Sequence, residues 1–198
     1  MDEERLTIIQ EKLCKKLDDK RYRHTLGVMY TSAALAMAHG QDVKRAQLAG
    51  LLHDCAKCVS NKKKVKICQK HEIPVTPFEE ENPFLLHAKL GAYYAKKKYG
   101  VEDEEILSAI CCHTTGKPNM TPLEQIVYIA DYIEPMRDTA PNLGEIRRLA
   151  FEDLDRCTYK ILKDTLDYLN SSPGKIDIAT EQTYQYYKER IDNRYGNQ

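Results

Sequence analysis

Leu48-Ala49-Gly50-Leu51-Leu52-His53-Asp54 runs from an apolar stretch straight into an imidazole and a carboxylate. A buried ionised group is costly unless it is paired or bound to a metal. Four more such groups, His24, His87, His113 and Asp131, stand in similar apolar settings along the chain. Six hard-to-bury ligand groups on separate segments point to one polyvalent metal site inside a helical protein.

Working outward, helical periodicity dominates. Leu6, Ile9, Leu13 and Leu17 form one stripe of a first helix, and a second is expected from about Tyr22 to His39, stopped by Gly40. Asp42 reads as the N-cap of the helix that ends at His53-Asp54, with Ala46, Ala49 and Leu52 on one face. A basic helix over 61–71 would turn Val65 and Ile67 inward. Pro74, Pro77, Pro83 and the Glu79-Glu80-Glu81 run predict a loop over 72–83, after which Asn82-Pro83 opens a helix reaching Tyr99. Another helix covers about 103–113, and Thr121-Pro122-Leu123-Glu124 carries the capping-box pattern of the helix bearing Asp131. A long amphipathic stretch over 143–169, a Ser171-Ser172-Pro173-Gly174 turn and a tyrosine-bearing helix over 180–194 complete the pattern. No strand alternation or internal repeat appears, so the expectation is one all-α domain spanning 1–198.

Composition narrows the function. The 198 residues are 42% hydrophobic and 30% charged, as in a soluble globular chain. Lys+Arg and Asp+Glu both number 30, which argues against a nucleic-acid polymer as partner and leaves free nucleotides open. Met1-Asp2-Glu3-Glu4-Arg5 lacks an apolar h-region, and no apolar run approaches the ~20 residues of a membrane helix, so neither secretion nor a membrane is expected. Seven cysteines fit reduced thiols in a cytoplasmic protein better than a disulfide framework. Cys55-x-x-Cys58 has no second CxxC and no βαβ setting, and Cys111-Cys112 reads as helix packing. Lys62-Lys63-Lys64 and Lys96-Lys97-Lys98 read as solvated faces. His39 and His71 read as solvated helix-end residues favoured by the dipole.

Imidazole nitrogen and carboxylate oxygen suit iron, manganese, zinc, nickel or cobalt. Adjacent helix positions point about 100° apart, so His53 and Asp54 would enter a coordination sphere from a helix end rather than as an i, i+4 pair. Asp54 could also bridge two ions.

The ordered pattern H…HD…H…H…D is filled by His24, His53-Asp54, His87, His113 and Asp131. Its flanks are Arg23-His24-Thr25, Leu52-His53-Asp54-Cys55-Ala56-Lys57, Asn82-Pro83-Phe84-Leu85-Leu86-His87, His113-Thr114-Thr115-Gly116 and Ile129-Ala130-Asp131-Tyr132-Ile133-Glu134-Pro135. This pattern resembles the HD-domain superfamily of metal-dependent phosphohydrolases, and within it the YqeK-type symmetrical bis(5'-nucleosyl)-tetraphosphatases. The resemblance implies a metal-ligand core over about 20–137 with C-terminal helices over 143–195. It implies a divalent metal, iron above all, held by His24, His53, Asp54 and Asp131, with His87 and His113 either ligating a second ion or contacting substrate phosphates. The activity implied is symmetrical cleavage of diadenosine tetraphosphate to two ADP by metal-activated water, with His53, Asp54, Lys57, His87 and His113 as catalytic residues. The alternatives are another HD-type nucleotide phosphohydrolase and a metal-bound, non-catalytic nucleotide-sensing domain.

Substrate contacts are expected from His24, His87 and His113, and from helix-end amides and hydroxyls at Asn82, Pro83 and Thr114. Arg137, six residues after Asp131, could grip a phosphate with a bidentate fork or simply end a surface helix. Residues 174–180, with Lys175 and Thr180, would close over one nucleoside, although Lys175-Ile176-Asp177-Ile178 lacks the histidine the family pattern leads one to expect. The apolar area of the tyrosine-bearing last segment is what a homodimer would cover.

Overall fold

Asp18, Asp42, Asp103, Thr121 and Asp153 each accept a hydrogen bond from a backbone N–H two or three residues on, and each starts a helix. In the computed structural model, which describes residues 3–171 and 175–195, the elements are α1 (Glu3–Cys14), α2 (Asp19–Ala38), α3 (Val43–Leu52), α4 (Asn61–Lys70), α5 (Pro77–Glu81), α6 (His87–Tyr99), α7 (Glu104–Cys112), α8 (Pro122–Ile133), α9 (Leu143–Glu152), α10 (Leu154–Asn170) and α11 (Ile178–Tyr195). No strand occurs among the described residues.

α2, α3, α7 and α8 pack on one another and build the centre; α6 covers α7, and α10 lies on α8, α9 and α11. The core runs through Leu35, Leu51, Leu52, Ile110, Ile126 and Ile129, all buried. Burying one such side chain stabilises the fold by about 1.5–3 kcal/mol. A Cβ on Gly50 would stand 2.7 Å from Ser32 Oγ and 3.1 Å from Met29 Cα, so glycine is what lets α3 lie this close to α2.

Four local expectations change. The 72–83 segment contains α5, because Pro77 sits at a first helical turn and Thr76 and Glu79 form a capping box. Asn82 therefore ends α5, donating from Nδ2 to Phe78 O, and α6 starts only at His87. The 143–169 stretch is two helices, because Asp153 adopts φ −154° and caps α10 through Arg156 N. On α4 it is Lys64 and Cys68 that are buried, with Val65 and Ile67 only half-buried.

The tyrosine face of α11 turns onto its own chain. Tyr187 Oη accepts from Met120 N, and Tyr184 stacks on Tyr159. Tyr187 is thereby buried, while Tyr184 and Ile191 of the same face stay half-exposed. His39 is half-buried rather than solvated, its Nε2 donating to Ala150 O at 2.7 Å. His71 is exposed, as expected, and stacks on Tyr93. Residues 172–174 of the Ser171–Gly174 turn lie outside the described residues.

Candidate metal centre

Three of the four inward histidines sit at helix ends: His53 and His113 follow a C-terminus, where the last carbonyls lack an intrahelical partner, and His87 follows the turn before α6. His53 follows α3 and donates from Nδ1 to Gly50 O, His87 opens α6 and donates to Phe84 O, and His113 follows α7 and donates to Ile110 O, each at 2.7 Å. In every case the acceptor is the carbonyl three residues back. A carbonyl only accepts, so the proton sits on Nδ1 and Nε2 presents a lone pair to the interior. His24 lies within α2, where carbonyls are already spent on the helix. Its Nδ1 faces the buried Glu134 carboxylate at 3.1 Å instead.

The Nε2 atoms converge in two pairs, His24 with His53 at 3.2 Å and His87 with His113 at 3.1 Å. Asp54 lies between them. Its Oδ2 stands 3.9 Å from His24 Nε2 and 3.7 Å from His53 Nε2, while Oδ1 stands 3.3 Å from His87 and 3.6 Å from His113. Asp131 Oδ1 is 3.1 Å from His24 Nε2 and 4.0 Å from His53 Nε2. Within this cluster His24, His53 and Asp131 form one set of donors close enough to share a cation, and His53, Asp54 and His113 form another.

The donor set fits a divalent cation on three counts. The Nε2 lone pairs of His87 and His113 face one another across 3.1 Å, a contact that repels unless a cation is shared there. Asp54 Oδ1 is buried with no hydrogen-bond partner among the described residues, an orphan that a cation would satisfy. Each imidazole has its outer nitrogen anchored to a carbonyl or carboxylate, the usual support of a metal-ligating histidine.

Burial pushes His53 down to about 4 and His87 down to about 3, so both are neutral near pH 7 and free to ligate. Burial also opposes charge on His24, yet Asp131, Glu134 and Asp54 outweigh it and raise its pKa. For Asp54 and Asp131 burial works against ionisation, but the surrounding histidines, and Lys57 beside Asp54, hold both carboxyls below the usual range.

Several further expected residues reach the cluster. Lys57 Nζ donates to His87 Nε2 at 3.0 Å, Thr114 Oγ1 lies 3.3 Å from His87 Nε2 and 3.2 Å from His113 Nε2, and Arg137 grips Asp131 through Oδ1 and the backbone carbonyl. Others do not. Asn82 and Pro83 build the turn that delivers His87, their carbonyls accepting from Leu85 N and Leu86 N. Lys175 is exposed and lies 3.5 Å from Glu81, and Thr180 is buried in the first turn of α11.

Two residues are added. Arg21 Nη1 pairs with Asp54 Oδ2 at 2.7 Å, and Glu134 anchors His24. Both carried a signal in their spacing: Arg21 lies three positions before His24 and Glu134 three after Asp131, on the same helical sides. The CxxC contributes nothing here. Cys55 is buried with its thiol pushed up to about 12, while Cys58 is exposed.

Two cavities open beside the cluster and share Arg137 and Thr139. One, of about 500 Å³, is flanked by Lys20, Arg21, Arg23 and His24. The other, of about 560 Å³, reaches from His113, Thr114 and Asp131 to Tyr132, Asp164 and Tyr168.

An all-α domain that turns four imidazoles and two carboxylates onto one buried point is the scaffold of a divalent-metal-dependent hydrolase. The HD domain family matches residues 21–136, which hold the whole cluster. The chain is 39% identical over 172 residues to the symmetrical bis(5'-nucleosyl)-tetraphosphatase of Bacillus subtilis, covering 87% of this chain and 91% of that one. It is 36% identical over 184 residues to the protein of the same name from Staphylococcus aureus, covering 89% and 93%. Among solved structures, a predicted HD superfamily hydrolase involved in NAD metabolism from Clostridium acetobutylicum superposes with a TM-score of 0.89 at 38% identity, over 93% of this chain and 97% of that one. The chain belongs to the HD-domain family.

Proposed function

We propose that this protein is an acid-anhydride hydrolase that uses a divalent metal, iron in the first place, to split diadenosine tetraphosphate symmetrically into two ADP. The observation that carries the proposal is the convergence of four imidazole Nε2 atoms on the two oxygens of Asp54. The relatives named for symmetrical tetraphosphatase activity, similar over nearly their whole length, support the choice of substrate. On this reading residues 1–198 act as one domain, with the ligand core over about 20–137 and the C-terminal helices enclosing the nucleotide.

His24, His53, Asp54 and Asp131 would hold the ion; His87 and His113 would hold a second ion or meet substrate phosphates. When bound, the cation supplies Lewis acidity that acidifies water and neutralises charge on phosphoryl oxygens. The protein's own part is to place charge and donors. Arg21 fixes the Asp54 carboxylate and lines the smaller cavity, where its guanidinium meets the polyphosphate. Lys57, beside His87, brings an ammonium to the charge of the departing diphosphate. Thr114 Oγ1 offers a hydroxyl between His87 and His113, and Arg137 stands where the two cavities meet. The balanced charge of the chain supports a small anionic substrate in the cytoplasm rather than a nucleic-acid polymer; no helix among the described residues is long and apolar enough to cross a membrane.

The test is purification without oxygen, metal analysis, and product analysis on diadenosine tetraphosphate. ADP as the sole nucleotide product is expected; AMP or free phosphate, or no turnover from metal-loaded protein, rejects the proposal.

A further inference from the structure

Helix α8 carries Asp131 and ends before Glu134-Pro135, and its last carbonyls need donors from outside the helix. Two arginines supply them. Arg137 Nε donates to Asp131 O at 3.1 Å. Arg147, on α9, reaches back across the 134–142 segment. Its Nε donates to Ile133 O at 3.0 Å, and its Nη2 donates to Glu134 O at 3.1 Å and to Arg137 O at 2.8 Å. No carboxylate pairs with Arg147 among the described residues, so its charge is directed at the negative end of α8. The helix that presents it is itself fixed: Ile146 and Ala150 are buried, and His39 Nε2 ties Ala150 O to the end of α2.

The residues whose carbonyls Arg147 holds are the supports of the cluster. Glu134 is the carboxylate behind His24, and Arg137 grips Asp131 Oδ1 at 3.0 Å. His24 and Asp131 in turn belong, with His53, to one donor set close enough to share a cation. Arg147 itself is half-buried and lines neither cavity beside the cluster. Its neighbour Arg148 is exposed and pairs within its own helix with Glu152.

We propose that Arg147 is a positioning residue of the metal centre: one guanidinium on α9 fixes the main chain at Ile133, Glu134 and Arg137, and so sets where Glu134 meets His24 and where Arg137 meets Asp131. This rests on the reading of the cluster as the metal centre of the proposed hydrolase, and adds a residue that touches neither ion nor substrate. The role needs a guanidinium and not merely a charge. A planar fork meets three carbonyls in fixed geometry, whereas an ammonium is a point charge on a flexible stem. Glu134 N is tied to Ala130 O at the end of α8. Past that point the turn's own bonds, Met136 N to Glu134 Oε2 and Arg137 N to Glu134 O, both end on Glu134 and travel with it. Arg147 holds that turn from outside.

The experiment compares wild type with Arg147→Lys and Arg147→Gln, and with Arg148→Gln as control. Three quantities are measured: melting of the apo protein, affinity for Mn(II) and Fe(II) titrated against a chelator without oxygen, and turnover of diadenosine tetraphosphate at saturating metal. Lysine keeps a charge and glutamine keeps a donor at the end of α8, so both variants should melt within about 5 °C of wild type. Both are expected to bind metal about tenfold more weakly. At saturating metal KM should rise about tenfold while kcat changes less than about threefold, because Arg137 borders both cavities. Arg148→Gln should match wild type throughout. An arginine that serves stability alone would lower the melting temperature and the active fraction, leaving KM and the metal affinity of folded protein unchanged. That result overturns the proposal, as does full rescue by lysine. Should either variant melt early, a cycle with Arg137→Lys decides. Adding Arg147→Gln to that background should raise KM no further, and additive losses overturn the role. Metal affinity is read without substrate. Weakened metal binding in the variants of a protein that leaves the tetraphosphate uncut sinks the proposed activity alone, whereas a wild type that yields ADP beside variants of unchanged metal affinity and KM sinks the positioning role alone.

Discussion

Gly27 on α2 faces the Glu134 carboxylate so closely that a Cβ there would stand 2.5 Å from Oε2 and 3.2 Å from Cδ. Glu134 is buried, and it is held by His24 Nδ1 on one side and by Met136 N at 2.7 Å on the other. The glycine makes room for the acid that aims the histidine. Gly→Ala inside a helix ordinarily stabilises by about 0.5–1 kcal/mol. Gly27→Ala is expected to miss that gain and to lower metal affinity, because the carboxylate must swing away from His24. Metal titration against a chelator, with thermal melting of the apo form, checks both; unchanged affinity would show that Glu134 moves at no cost to the site.

Glu134→Gln removes the charge and keeps the shape. On the proposal that His24 is a ligand, losing its carboxylate anchor should cost about 10–100-fold in metal affinity. The same titration reads it, and retention at wild-type strength would mean that the pair serves packing alone.

Asp54 faces both histidine pairs, one oxygen to each. Asp54→Ala should therefore empty the site and lower turnover of diadenosine tetraphosphate by about 10³-fold or more, the scale on which one lost electrostatic contact acts in an active site. Elemental analysis beside an ADP assay decides; preserved turnover rules out the proposed ligand set.

Stripping the metal should also destabilise the fold. A ligand present at 100 times its dissociation constant stabilises the native state by about 2.7 kcal/mol, which for a chain of this size is about 5–10 °C in melting temperature. Scanning calorimetry with and without chelator measures this, and iron, manganese, cobalt, nickel and zinc can be ranked by the melting temperature each restores.

Asp103 provides a pH test away from the cluster. The Arg45 guanidinium, helped by the Ile106 and Glu105 backbone N–H groups, holds its carboxyl below the ordinary 3.8, and its side chain caps the helix that ends at His113. A depressed folded pKa gives stability that is present above the unfolded value and lost as pH falls through the folded one. Asp103→Ala should cost about 1 kcal/mol near neutrality, as a lost cap does. The gap to wild type should narrow once the pH drops below about 4. A gap independent of pH would show that the ionised carboxylate contributes nothing.

Helix positions were largely legible because capping and periodicity are local. Asp42 and the Thr121–Glu124 box act within one turn, and both helices begin where those residues say. The misread stretches are those where one residue served two readings. Pro77 breaks a helix interior but suits a first turn, and Asp153 sits within an unbroken apolar pattern yet takes an extended backbone and splits it.

The six candidate groups themselves were legible in the chain, because histidines and aspartates in apolar segments are costly without a partner, and each of the six lies within 4.0 Å of at least two others. What surrounds them was not. His24 and Glu134 are separated by 110 positions, and Arg21 and Asp54 by 33. The Tyr132–Asp164–Tyr168 cavity likewise needs α8 to lie on α10. Apolar neighbours along the chain are a local property, so the sequence by itself singled out these six groups as costly to bury. Bonds between helices and cavity walls depend on which helices meet, so only the tertiary structure decided that Glu134 stands behind His24, that Arg21 stands beside Asp54, and which cavities open beside the cluster.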